Sequence, residues 1–165
     1  MDRKFLYPSR IICAILSLAC MVTIFMFSRE DGEKSSKTSG KVTDTVIDVT
    51  VKDYEQKPAK EKKSIREKVS FWVRKTAHFT IYTLLGLMVS LTIGKRKIFS
   101  LGTLGALLFC FMYAVSDEIH QSFTPDRSCE FRDVMIDTSG AALGILISIS
   151  VMAVIKALNR KLSDR

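Results

Sequence analysis

Between two long apolar runs stands Ala114-Val115-Ser116-Asp117-Glu118-Ile119-His120-Gln121-Ser122-Phe123-Thr124-Pro125-Asp126-Arg127, closed six residues on by Asp133. Adjacent carboxylates, an imidazole, a carboxamide and a guanidinium can move protons, hold a metal ion or bind an anion. Polar groups set this close to hydrocarbon are costly and usually mark function. Tyr113, Asp117 and Gln121 recur every four residues on one helix face, with His120 beside Asp117. Glu118 points elsewhere, toward a neighbouring helix or water. Thr124-Pro125-Asp126-Arg127 reads as a turn with proline at its second position.

Two further segments carry the same residue types. Arg74-Lys75-Thr76-Ala77-His78-Phe79-Thr80-Ile81-Tyr82 places Arg74, His78 and Tyr82 along one helix face, four residues apart. Read alone, Arg74 and Lys75 snorkel to headgroups and His78 is an ordinary interfacial histidine, the common fate of such residues. Asp133 and Asp137 stand one helical turn apart at the start of the last apolar run.

Four apolar runs position these groups: Ile11–Phe27, Thr76–Ile93, Ile98–Val115 and Val134–Ile155, of 17, 18, 18 and 22 residues. Each reaches the ~17–25 residues that cross ~30 Å of hydrocarbon. They lack the alternation of barrel strands, so the expected fold is all-α, a polytopic membrane protein of four transmembrane helices. Residues 1–165 form one domain. A soluble domain would interleave its 47% hydrophobic and 25% charged residues, whereas here they are segregated.

The net charge of +8 does not point to nucleic acid, because its basic clusters flank the apolar runs. Arg3, Lys4 and Arg10 precede the first; Lys95, Arg96 and Lys97 fill the turn between the second and third; Lys156, Arg160, Lys161 and Arg165 follow the fourth. The positive-inside rule puts all three clusters, and both termini, in the cytoplasm. The start of span two, the end of span three and the start of span four then share the outer surface. Asp117, Glu118, Asp133 and Asp137 thereby join Arg74, Lys75, His78, His120 and Arg127 in one layer, an extracytoplasmic polar cluster.

The basic start and apolar core of Met1–Phe27 resemble a secretory signal, but the core is longer than a signal's and no small-x-small site follows it. Leu18-Ala19-Cys20 resembles a lipoprotein box, yet seven apolar residues follow Cys20. A retained first helix is expected. Residues 28–70 form the outer loop, whose 11 Lys/Arg and 9 Asp/Glu suit a solvated flexible segment. Within it Val42, Val46 and Val49 stand at helical spacing, while Ile47, Val49 and Val51 stand at strand spacing. Ser64-Ile65-Arg66-Glu67 fits a capping box, which starts a surface helix near Ser64 and leaves Trp72 at interface depth. Gly140 and Gly144 form a small-x-x-x-small face for close helix packing. Of the four cysteines, Cys13, Cys20 and Cys110 lie in spans and Cys129 alone faces outside. No disulfide is expected there, and no C-x-x-C pair, metal or cofactor is indicated.

Arg74-Lys75-x-x-His78-Phe79-x-x-Tyr82, Ser116-Asp117-Glu118-x-x-Gln121-x-Phe123-x-Pro125-x-Arg127 and Asp133-Val134-x-x-Asp137-x-x-Gly140-x-x-x-Gly144 together resemble the signature of the VanZ-like family of small bacterial membrane proteins. Phe27-Ser28 at the end of the first span is similar as well. The resemblance covers the four spans and implies a cell-envelope protein; the family takes its name from a member giving resistance to the glycopeptide teicoplanin. It supplies no mechanism.

Three functions follow, in order. The first is a non-enzymatic envelope protein whose outward cluster binds a membrane lipid headgroup, a lipid-linked wall precursor or the acyl-bearing antibiotic, with Arg74, Lys75 and Arg127 meeting phosphate or carboxylate. The second is an integral membrane hydrolase or transferase acting on a lipid-linked substrate, in which Asp117, Glu118, His78 and His120 serve as base or metal ligands. No nucleophile elbow or H-E-x-x-H supports it. The third is an ion-pair network that only fastens helices.

Overall fold

The computed structural model describes residues 3–29, 39–94, 98–123 and 130–163, with side chains from residue 8 onward. Among these residues the chain is all-helical: α1 (Arg3–Ser28), α2 (Gly40–Thr50), a 3-10 turn at Tyr54–Gln56, α3 (Ala59–Ile93), α4 (Leu101–Gln121) and α5 (Phe131–Ser163). Four of these helices, α1, α3, α4 and α5, are long and apolar enough to cross a membrane. Their outward faces carry large apolar side chains such as Ile15, Leu18, Leu104, Met112, Leu146 and Val154. In water such a surface would be a liability; in lipid it is the solvated face.

The helices begin where local chemistry permits. Ser100 caps α4, its hydroxyl accepting the Thr103 N–H at 3.2 Å, so Ile98 and Phe99 precede the helix. Pro58 is the N-cap of α3. Proline has no N–H to leave unsatisfied there and holds the preceding residue extended. The helix therefore starts at Ala59, five residues before the expected Ser64, which lies inside it.

Within the 28–70 segment, residues 39–70 are more ordered than their composition suggests. Residues 40–50 are helical, and the buried residues of α2 are Gly40, Thr43 and Ile47. Val42 and Val49 are exposed, so the valines are not the packing face. Arg66 of α3 fixes α2 through both oxygens of Asp44, at 2.6 and 3.4 Å. Asp53, at φ 54°, turns the chain back in the left-handed conformation that aspartate tolerates.

The pair α3 and α5 forms the main contact of the bundle. Lys75 faces Asp133, His78 faces Asp137, Phe79 faces Gly140 and Thr83 faces Gly144. The order is the same along both helices, so they run parallel. Here the absent Cβ matters: one added at Gly144 would lie 1.9 Å from the Thr83 carbonyl oxygen, and one at Gly86 2.1 Å from that of Ala141. Glycine lets the two backbones touch. On α4 the small residues Ala106, Cys110 and Ala114 are buried at four-residue spacing in the same core as Tyr82, Leu85 and Ile145. Ile24 of α1 joins that core, and the Tyr113 hydroxyl donates to the Met21 carbonyl at 2.7 Å. The first helix is thus an integral stave of the bundle. Arg10 lies against Gly94 at the opposite end from Ser28 and Gln121. Lys95–Lys97, the Thr124–Arg127 turn and Cys129 lie outside the described residues.

Candidate functional site

The described residues of the expected layer lie at one end of the bundle, where α1 and α4 finish, α5 begins and α3 enters its apolar run. It divides into two parts of opposite character.

The inner part is buried and acidic. Asp117, Glu118 and Asp137 are each no more than 4% exposed. Gln121 Nε2 donates to Asp117 Oδ2 at 2.9 Å and lies 3.2 Å from Ser28 Oγ, tying α4 to the end of α1. Glu118 turns aside as its helix position requires, and its Oε1 accepts the backbone N–H of Glu130 at 2.7 Å, holding the approach to α5. His78 Nδ1 stands 3.7 Å from Asp137 Oδ2, beyond hydrogen-bond length. His78, Asp117 and Asp137 each offer a ligand atom, and these atoms lie within 4.8 Å of one another. Tyr82, one turn along α3 from His78, is fully buried and its hydroxyl has no hydrogen-bond partner among the described residues.

Lys75 pairs with Asp133 at the edge of this layer. The expected layer also held Arg74 and Arg127 as cations for its acids. Arg74 makes no ion pair among the described residues, and Arg127 lies outside them. Neighbouring residues on a helix point about 100° apart, so α3 can aim only one of Arg74 and Lys75 at α5. His120 also departs from expectation: its ring stacks on Phe25 of α1, centroids 4.6 Å apart and planes 14° apart, rather than joining the His78 group.

The outer part is basic. Arg74 lines a pocket of about 280 Å³ with Thr43, Lys63, Arg66, Glu67 and Ser70, between α2 and the first turns of α3. Ser70 Oγ and Thr43 Oγ1 are buried there without hydrogen-bond partners among the described residues. Arg66 is engaged by Asp44. Sequence reasoning missed Lys63, Thr43 and Ser70, whose contribution depends on the docking of α2. It noted Ser28 only through family likeness; its hydrogen bond to Gln121 spans 93 residues of sequence.

No curated protein and no solved structure matches this chain. Residues 13–154 match the family model described as VanZ/LLP1. That match takes in all three polar motifs and most of the four candidate spans, and the chain belongs to the VanZ/LLP1 family.

Proposed function

We propose that this multi-pass membrane protein of the bacterial cell envelope binds an anionic or amphiphilic envelope molecule at the basic pocket beside Arg74. The carrying observation is the pocket's chemistry: among the described residues, Arg74 has no acidic partner and two buried hydroxyls have no hydrogen bond. A phosphate or carboxylate satisfies all three, since guanidinium binds such groups bidentately and hydroxyls donate to them. In this reading the polar end of the bundle faces outward and both termini lie in the cytoplasm, as the basic flanks imply. Occupying the pocket with a lipid-linked wall precursor or with teicoplanin itself would change glycopeptide susceptibility.

The test uses the detergent-purified full chain and phosphatidylglycerol as probe. Wild type is expected to bind it in preference to phosphatidylcholine, while Arg74→Gln and Lys63→Gln lose that preference and elute as folded protein. In a glycopeptide-susceptible Gram-positive host, the same variants are expected to lose teicoplanin protection at wild-type membrane level. Undiminished binding and protection in both variants would sink the reading.

A second reading, an integral membrane hydrolase or transferase acting on a lipid-linked envelope substrate, is favoured by the His78–Asp117–Asp137 grouping, which joins an imidazole to two carboxylates in a buried setting. It predicts turnover lost on His78→Gln, with headgroup binding retained.

A further inference from the structure

The buried acidic group raises a separate question from the basic pocket. Asp117 and Asp137, each 4% exposed, bring two carboxylates into the interior from different helices. The nearest lysine on α3, Lys75, is committed to Asp133. Gln121 offers Asp117 a neutral donor, and His78, 3.7 Å from Asp137, gives the two carboxylates one positive charge, and that only when protonated. Taking two carboxylates from water without matching positive charge is strongly unfavourable. Something cationic belongs between them.

We propose that His78, Asp117 and Asp137 bind a first-row divalent metal ion, zinc or manganese. Three helices each supply one ligand: α3 the imidazole, α4 and α5 the carboxylates. Ligand atoms on one ion at ~2.1 Å lie ~3–4 Å from one another. The present span of 4.8 Å closes by about 1 Å on coordination, within small side-chain rotations. One nitrogen and two carboxylate oxygens suit zinc or manganese better than magnesium or calcium, which prefer all-oxygen sites, or copper(I), which prefers sulfur.

Two observations outside the ligand set support the site. Gln121 holds Asp117 and rests against Ser28, the kind of outer support that orients a metal ligand. Tyr82, one turn along α3 from His78, is completely buried, its hydroxyl unpartnered among the described residues and within electrostatic reach of Asp117 and Asp137. A water on the ion gives that donor its acceptor. The inference does not rest on headgroup binding.

The test begins with the detergent-purified full chain stripped by chelator, then titrated with zinc chloride and with manganese chloride. Wild type is expected to retain one ion per chain after gel filtration, by elemental analysis, and to show a higher Tm when loaded. Asp117→Asn, Asp137→Asn and His78→Gln, near in shape to the originals, are expected to weaken retention at least tenfold. Asp48→Asn, an exposed carboxylate on α2 remote from the site, is expected to bind as wild type. Wild type that retains no stoichiometric ion overturns the proposal whatever the variants do. Retention that survives the triad variants overturns it too, because the ion then sits elsewhere.

Discussion

Lys75 on α3 and Asp133 on α5 meet side chain to side chain across the interface between the two parallel helices, in the first turn of α5 and well inside α3. The pair sits at the rim of the layer, and the second carboxylate oxygen of Asp133 is buried without a partner. Its position registers one helix against the other one turn before His78 reaches Asp137. The pair thereby sets the spacing of the inner group without belonging to it.

Removing one member of that pair strands the other. Lys75→Met is expected to lower stability by ~1–3 kcal/mol, less than for a fully buried pair because both groups retain some water. The double variant Lys75→Met/Asp133→Leu is expected to lose less than the two single losses added together. Thermal unfolding in detergent reads both. Additive losses would mean the side chains act independently.

The glycine contact gives a contrast within one residue type. Gly144→Ala drives a methyl into the Thr83 carbonyl and is expected to cost ~3 kcal/mol or more, since rigid backbone must move. Gly105, on α4, has nothing within 4 Å of an added Cβ, so Gly105→Ala is expected to gain up to ~1 kcal/mol from helix propensity. Membrane accumulation and Tm are expected to move in opposite directions for the two.

Asp117→Ala leaves a hole and deprives the Gln121 amide of its buried acceptor. Its expected cost is ~1–3 kcal/mol. Asp48, exposed on α2, is the matched control, expected to accumulate as wild type. Asp53 is a poorer control, because its positive φ would strain alanine on its own. Equal behaviour of Asp117→Ala and Asp48→Ala would show that the inner layer contributes nothing to the fold.

Orientation is readable from cysteines. A membrane-impermeant thiol reagent is expected to label Cys129 in intact cells and to leave Cys13, Cys20 and Cys110 unlabelled. Labelling of Cys129 only after lysis would reverse the sidedness of both sites.

The spans were legible because lipid demands long uninterrupted apolar runs, and such runs cannot hide in a sequence. Grouping Asp117, Gln121, His78 and Asp137 needed only the alternation of direction from one span to the next. Choosing between Arg74 and Lys75 needed the rotation of α3 about its axis, which packing decides. The Gly140–Gly144 face announced itself by spacing, whereas Gly86, the opposing member on α3, carries no motif. In the loop, the valines fit helix and strand equally, and the side chains that actually dock, Thr43 and Ile47, include a polar one that no apolar pattern marks. The basic pocket was out of reach for the same reason: it exists only once α2 lies on α3.

The length of α3 has a mechanical meaning. Its 35 residues make a rod of about 52 Å, some 20 Å longer than the hydrocarbon it crosses. The surplus is a mast standing in the aqueous phase, stepped beside α5, with α2 lashed to it by Arg66 and Asp44. Lys63 and Arg74 are eleven residues apart on that mast, about 16 Å in height. A molecule that fills the pocket therefore needs a polar portion of nanometre length above its point of entry into lipid. A phosphatidylglycerol head covers part of that height; a headgroup bearing sugars or peptide covers all of it.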